Sequence, residues 1–348
     1  MKKKITQKTT AFFLAALMLL TLLAGCDSKE RVSASPSDSD APGASSTYAD
    51  PSTPAQDENA LTDEEMEQIK YNYYVGLNND IIEVLDSLES YFMVVADEPE
   101  FSLLPDTGLT YGFRVYGQNT DLLDDCLLLA EMDPSFGAMD EQVLAMGEPL
   151  RALMETFSAI SRSSDYADNQ YQKAKEYHAV IYENIDPFLV PAYDFLDAIA
   201  EMGNARTAAE EEKMLADGDL IIYNASHAIT IGKQVLNEIA AQGITDETIT
   251  QLDLTELRTL YDELVATVAD FDAATADNDQ LIKESLANSR PFDGLYDSLI
   301  QALEWMIRQV ESGRPLDLSG SGAPLGSIGH FAYVLSQCID RYNSVFAE

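Results

Sequence analysis

Apolar residues recur at helical spacing along most of this chain. From Leu257, the positions Leu257, Leu260, Tyr261, Leu264, Val265, Val268 and Phe271 make one stripe, the spacing of three and four that lines a single face of an α-helix. A start signal precedes it: Asp253 can cap the helix, Glu256 can return the bond, and Leu252 with Leu257 hold the positions of a hydrophobic staple. The same grammar opens at Leu61-Thr-Asp-Glu-Glu65-Met66, with Thr62 as the cap, Glu65 its partner and Leu61 with Met66 the staple. Met66, Ile69, Tyr73, Leu77, Val84, Leu88, Tyr91 and Val95 continue that face, which predicts a helix of about thirty residues.

Further helices are predicted near 120–132, 139–162, 164–185, 187–203, 207–242, 290–311 and 328–346. Pro187 and Pro191 are expected to bend or split the middle of the chain. Thr207 with Glu210 repeats the capping box, Pro291 suits a first helical turn, and Gly313 followed by Pro315 suits a stop. Alternating Val- and Thr-rich runs are scarce. The expectation is an all-α antiparallel bundle of about seven to nine helices over residues 61–348, either one body or two sub-bundles, 61–162 and 164–348, hinged near 162–165.

Two irregular stretches interrupt the pattern, Pro99 to Gln118 and Ser312 to Ser327. Unstructured loops of this length are uncommon in a compact domain unless they are functional or disordered. In the first, Tyr111, Phe113 and Tyr116 are candidates for contact with a sugar or protein partner. The competing and favoured reading has the aromatics of this stretch tucked against the bundle end, or the loop folded as a small hairpin.

The amino terminus departs from all of this. Basic Met1-Lys-Lys-Lys4 is followed by an apolar run from Ala11 to Gly25, about fifteen residues, where a spanning helix needs about twenty. A basic start, a short apolar stretch and small residues describe an export signal over residues 1–25. Leu23-Ala-Gly-Cys26 resembles the lipobox of bacterial lipoproteins, which implies lipidation of the Cys26 thiol and a mature chain beginning there. Residues 26–60 are rich in Ser, Pro, Ala, Asp and Gly and carry almost no large apolar side chain. They cannot bury enough surface to fold, so they read as a disordered tether.

Charge changes the picture of partners. The chain holds 60 acidic and 21 basic residues, a formal net charge of −39; loss of the four lysines of the signal would make it about −43. The tether holds seven acids and two bases, so the excess lies on the folded part. Nucleic acid and anionic headgroups both need basic patches, and neither is expected to bind. Beyond Cys26, Cys126 and Cys338 both lie on apolar helical stripes. They are read as buried thiols, with a disulfide between them as the alternative.

No reactive constellation emerges. His178, His227 and His330 fit no H-E-x-x-H motif, nor the H-x-x-E of imelysin-like helical lipoproteins, and no Glu stands three residues before any of them, as a di-iron bundle requires. Glycine-rich phosphate loops and G-x-S-x-G are absent. The pairs Asp217-Gly-Asp219 and Asp277-Asn-Asp279 bring hard oxygen donors together but do not extend into a calcium loop. Neither an enzyme, a metal site nor a cofactor is expected. Asn79, Tyr177, His178 and His227 are the residues chosen for a polar interhelical pocket, and Asn72, Asn78 and Asn79 either fix helix register or line a cleft, register being favoured.

The stretches Lys70-Tyr-Asn-Tyr-Tyr-Val-Gly-Leu-Asn-Asn79, His178-Ala-Val-Ile-Tyr-Glu-Asn-Ile-Asp-Pro-Phe188, Leu215 to Ile239 and Cys338 to Phe346 resemble a family of bacterial all-helical lipoproteins without an assigned activity. That resemblance implies a fold and an address and no reaction. The expected protein is a non-catalytic interaction or envelope module at the extracytoplasmic face of the cell membrane, held by lipid on Cys26, with a protein or glycan partner. The alternative is a binding protein for a small solute or cation.

Overall fold

The computed structural model describes residues 61–105, 115–286, 290–320 and 322–346. Among these the chain is all-α: nine α-helices, one 3-10 helix and an isolated antiparallel bridge. The stretches expected to be a signal (1–25) and a tether (26–60), with Cys26, lie outside the described residues.

Helix α1, Asp63–Phe92, starts as its sequence predicts. Glu65 N–H donates to Thr62 Oγ1 at 3.2 Å and the Thr62 N–H donates back to Glu65 Oε2 at 2.7 Å, so two orphan amides of the first turn are satisfied. Leu61 stays largely exposed, leaving the staple open. The buried stripe runs through Tyr71, Tyr74, Leu77, Ile81, Leu88 and Tyr91. After a short hairpin closed at Val95 and Leu103, α2 spans Asp121–Ala130 and α3 Ala138–Arg162.

Helix α4, Asp168–Asp217, overturns three expectations. Its first turn winds left-handed at Asn169, Gln170 and Tyr171, and from there it runs on through Pro187 and Pro191, which do not split it. The carbonyls the prolines leave without a helical donor, those of Glu183 and Pro187, belong to exposed residues where water can take the bond. On the other side Ile185, Phe188, Ala192 and Phe195 are buried and keep the axis in place. Thr207 and Glu210 sit inside this helix and start nothing. The break falls later, at Gly218, whose φ of 72° is open to glycine; there the Asp219 N–H reaches back to Met214 O at 2.8 Å and closes the helix end.

Helix α5, Leu220–Ala241, the 3-10 helix Asp246–Gln251, α6, Thr255–Ala276, and the short α7, Asn278–Lys283, follow. Leu252 and Leu257 are both buried, as a staple requires, and Asp253 Oδ1 accepts from the Thr255 N–H and hydroxyl rather than pairing with Glu256. Helix α8, Leu295–Ser312, begins after Gly294 and leaves Pro291 in the preceding turn; α9 spans Ile328–Phe346.

The buried apolar residues form two cores. One gathers α1, α2, α3 and the first part of α4, from Tyr71 to Ile199; the other gathers α5 to α9, from Ile221 to Tyr342. The cores therefore part along α4. A hinge near 162–165 does not divide them, because α3 and α4 on either side of it pack against each other within the first core.

Candidate functional site

Three polar clusters lie within these cores. In the first core, Lys70 sits one turn before Tyr74 on the inward stripe of α1 and is fully buried. Its ammonium donates to Met132 O and Pro134 O, both at 3.1 Å, and to Asp140 Oδ2 at 2.9 Å, so all three hydrogens are used. Asp140 also accepts from the Tyr74 hydroxyl at 2.6 Å, the Ser135 hydroxyl at 3.1 Å and the Phe136 N–H at 2.7 Å. A buried ion pair is tolerable when its remaining bonds are filled, and these bonds bind the α2–α3 turn to α1.

The second cluster surrounds His178 on α4, which is almost fully buried. Its Nε2 lies 2.8 Å from Glu98 O, a carbonyl that can only accept, so Nε2 carries the hydrogen and Nδ1 accepts from Tyr91 OH at 3.0 Å. Phe101 from the hairpin packs edge-on against both His178 and Tyr166, and Tyr166 stacks on Tyr177. This is how the first irregular stretch is held down. Of its contact candidates, Tyr116 is half exposed, with its N–H on Ser87 Oγ at 3.1 Å, while Tyr111 and Phe113 lie outside the described residues.

The third cluster joins α4 to the second core. Glu211 is buried and accepts from the Ser226 hydroxyl at 2.9 Å, the Thr230 hydroxyl at 2.7 Å and His227 Nδ1 at 3.0 Å. The other ring nitrogen of His227 stands 3.4 Å from Glu263 on α6, and Tyr223 stacks on the ring. Burial pushes the Glu211 carboxyl up, but the hydrogen bonds from His227, Thr230 and Ser226 outweigh it and hold it below its ordinary value. The hydrogen bond to Glu211 raises His227 in turn, against burial. Lys233, one turn beyond Thr230, is pushed down to about 8 by burial, with the Glu211 charge acting the other way.

The structure does not gather Asn79, Tyr177, His178 and His227 into one pocket. Asn79 is exposed on α1, Tyr177 and His178 belong to the first core, and His227 faces the joint beside the second. Of Asn72, Asn78 and Asn79, Asn78 is buried, its amide reaching Asn79 Oδ1 at 3.3 Å. His330 packs on Trp305. The acidic pairs are spent on structure: Asp277 caps α7 through the Asp279 N–H, and Asp219 pairs with Lys283.

Cys126 and Cys338 are free and buried in different cores. Their thiols donate to Tyr73 O and Leu295 O, and burial pushes both up to about 12. No group of three or more His, Cys, Asp or Glu side chains that could hold a metal ion occurs among the described residues, and none of their helices is long and apolar enough to cross a membrane. An open cleft of about 590 Å³ lies between the end of α6 and the start of α8. Phe271, Phe292 and Tyr296 line it with Asp272, Asp297 and Arg290. Burial and the Asp297 charge raise Asp272, and Arg290 pulls it back.

Lys70, Asp140, Glu211 and Glu263 were missed from sequence. Lys70 left a signal, a lysine four residues before Tyr74 on an inward face; Glu211, inside the run Glu210-Glu-Glu212, left none. No curated protein and no solved structure matches the chain. The family model described as protein of unknown function DUF3829 matches residues 64–313, a span that runs from α1 through α8 and includes most of both cores, and the chain belongs to that family.

Proposed function

We propose that this protein is a non-catalytic interaction or envelope module, anchored by lipid on Cys26 at the extracytoplasmic face of the cell membrane and presenting its helical body to a protein or glycan partner. The observation that carries this reading is where the buried polar chemistry goes. Lys70, Asp140, His178 and Glu211 are each committed to joining one helix or turn to another, the pattern of a scaffold that holds a surface in shape. Leu23-Ala-Gly-Cys26 supports the address, and the strongly acidic charge favours a partner other than nucleic acid.

In-cell crosslinking of the anchored protein, followed by affinity capture and mass spectrometry, tests it, with Cys26→Ser as the unanchored control. A stoichiometric partner that is lost with the anchor is expected. If Cys26→Ser still carried lipid and still sedimented with membranes, the anchor would be wrong; if no partner were captured from the anchored form, the module reading would be.

A second reading, a binding protein for a small solute or cation, draws on the cleft between α6 and α8, whose lining combines Asp272, Asp297 and Arg290 with Phe271, Phe292 and Tyr296. A thermal shift of the intact chain with amines, amino acids or divalent cations, abolished by Asp272→Asn, would favour it.

A further inference from the structure

The cleft between α6 and α8 has a fixed apolar wall. Phe292 and Tyr296 stack with centroids 4.4 Å apart and planes at 22°, and Phe271 meets both edge-on, at 5.4 Å and 5.2 Å. The Tyr296 hydroxyl donates to Ala225 O of α5 at 2.7 Å, so its polar atom is already committed. All three residues are buried. Interlocked rings anchored to a neighbouring helix need no reordering to receive a ligand. The cleft volume of about 590 Å³ lies within the roughly 300–1,000 Å³ usual for small-molecule sites.

The polar lining is unbalanced. Asp272, Asp293 and Asp297 are exposed, and the side chain of none of them makes a hydrogen bond or an ion pair with another described residue. Thr275 offers no spare donor, because its hydroxyl bonds to Phe271 O and Asp272 O. Among the described residues of the lining Arg290 is the one cation, so three carboxylates against it leave two negative charges in excess. Burial and the Asp297 charge push the Asp272 carboxyl up while Arg290 pulls it down, so two of the carboxylates already repel each other.

That distribution selects among ligands. A divalent metal ion needs several oxygens around one point, and no three His, Cys, Asp or Glu side chains among the described residues come together in that way. A zwitterion would bring a further carboxylate to a lining that already holds an excess, where Arg290 already acts on Asp272. Two positive charges held apart by methylenes match both the spread of the carboxylates and the apolar wall.

We propose that this cleft binds an aliphatic diamine or polyamine, its ammonium groups taken by Asp272, Asp293 and Asp297 and its methylene chain lying against Phe271, Phe292 and Tyr296. The proposal rests on the reading of the cleft as a small-solute site and names the class of solute.

Titration calorimetry of the full chain with putrescine tests it, at about 0.15 M salt so that attraction to the acidic surface at large is screened. Saturable one-to-one binding is expected. Asp272→Asn and Asp297→Asn should each weaken it about tenfold, on the scale of one charge-assisted hydrogen bond. Butylamine, with the same chain and one ammonium, should bind about tenfold more weakly than putrescine. Glu141→Gln, at an exposed position of α3, should change nothing. Both aspartates are exposed, so neither substitution threatens the fold. Absence of saturable putrescine binding would overturn the proposal, as would equal losses in Asp272→Asn and Glu141→Gln, or equal affinity for butylamine. If glycine or calcium then bound in a manner abolished by Asp272→Asn, the small-solute reading would stand without the diamine; if neither did, both would fall.

Discussion

Lys70 Nζ and Asp140 Oδ2 meet at 2.9 Å inside the first core, with the lysine wholly out of water. Removing either partner strands the other charge. Lys70→Ala and Asp140→Ala are each expected to cost about 3–5 kcal/mol, and Lys70→Met combined with Asp140→Leu markedly less than their sum. Urea unfolding of the three variants measures this. Strict additivity would show that the pair is not coupled.

His178 pins the hairpin through Glu98 and holds Tyr91 in place. His178→Ala takes one hydrogen-bond partner from the buried Tyr91 hydroxyl and removes the donor to the Glu98 carbonyl, at a cost of about 1–3 kcal/mol. The loosened segment is residues 93–105, where limited proteolysis should cut faster than in the unaltered chain. Equal cutting rates would mean that Phe101 and the bridge hold the hairpin without the imidazole.

Asp80 and Asp86 on α1 titrate high. Burial and then Glu83 push Asp80 up to about 6; burial and then Glu89 and Glu83 push Asp86 up to about 7. The folded chain therefore holds these protons more tightly than the unfolded chain does. By linkage its stability rises as pH falls through these values, and the penalty is in force above them. Glu211 and His227 have the opposite and the complementary signs: the contribution of Glu211 is present above its unfolded pKa and lost as pH falls through its lowered folded value, while that of His227 is present below its unfolded pKa and lost as pH rises through its raised one. Asp86→Asn should be more stable than the parent at about pH 8 and flatten the slope between about pH 8 and about pH 6. Denaturant midpoints across that range decide it, and an unchanged slope would remove Asp86 from the account.

Cys126 and Cys338 lie in different cores with thiols pushed up to about 12. Both should resist alkylation in the folded chain and react together on unfolding, and reductant should not move Tm. A reductant-sensitive Tm would point to a disulfide that the structure does not contain.

Much of the helical content was legible because it is local. The box at Thr62 and Glu65, the stripe from Leu257 to Phe271 and the stop at Gly313 are set by residues within a turn or two of one another. Two errors show where local grammar ends. Pro187 and Pro191 read as breakers, yet Phe188, Ala192 and Phe195 are buried on the opposite side and carry the helix through. Thr207 and Glu210 spell a helix start inside a helix already under way.

The sequence by itself determined the all-α class, most helix positions and the apolar faces, since a 3.6-residue period and a cap are written in neighbouring side chains. Only the tertiary structure decided where the cores divide and which polar groups meet. Lys70 and Asp140 are 70 positions apart, Tyr91 and His178 are 87 apart, and Glu211 meets His227 across a turn that Gly218 makes possible. Such pairs follow from how whole helices pack, and no local pattern encodes a partner that distant.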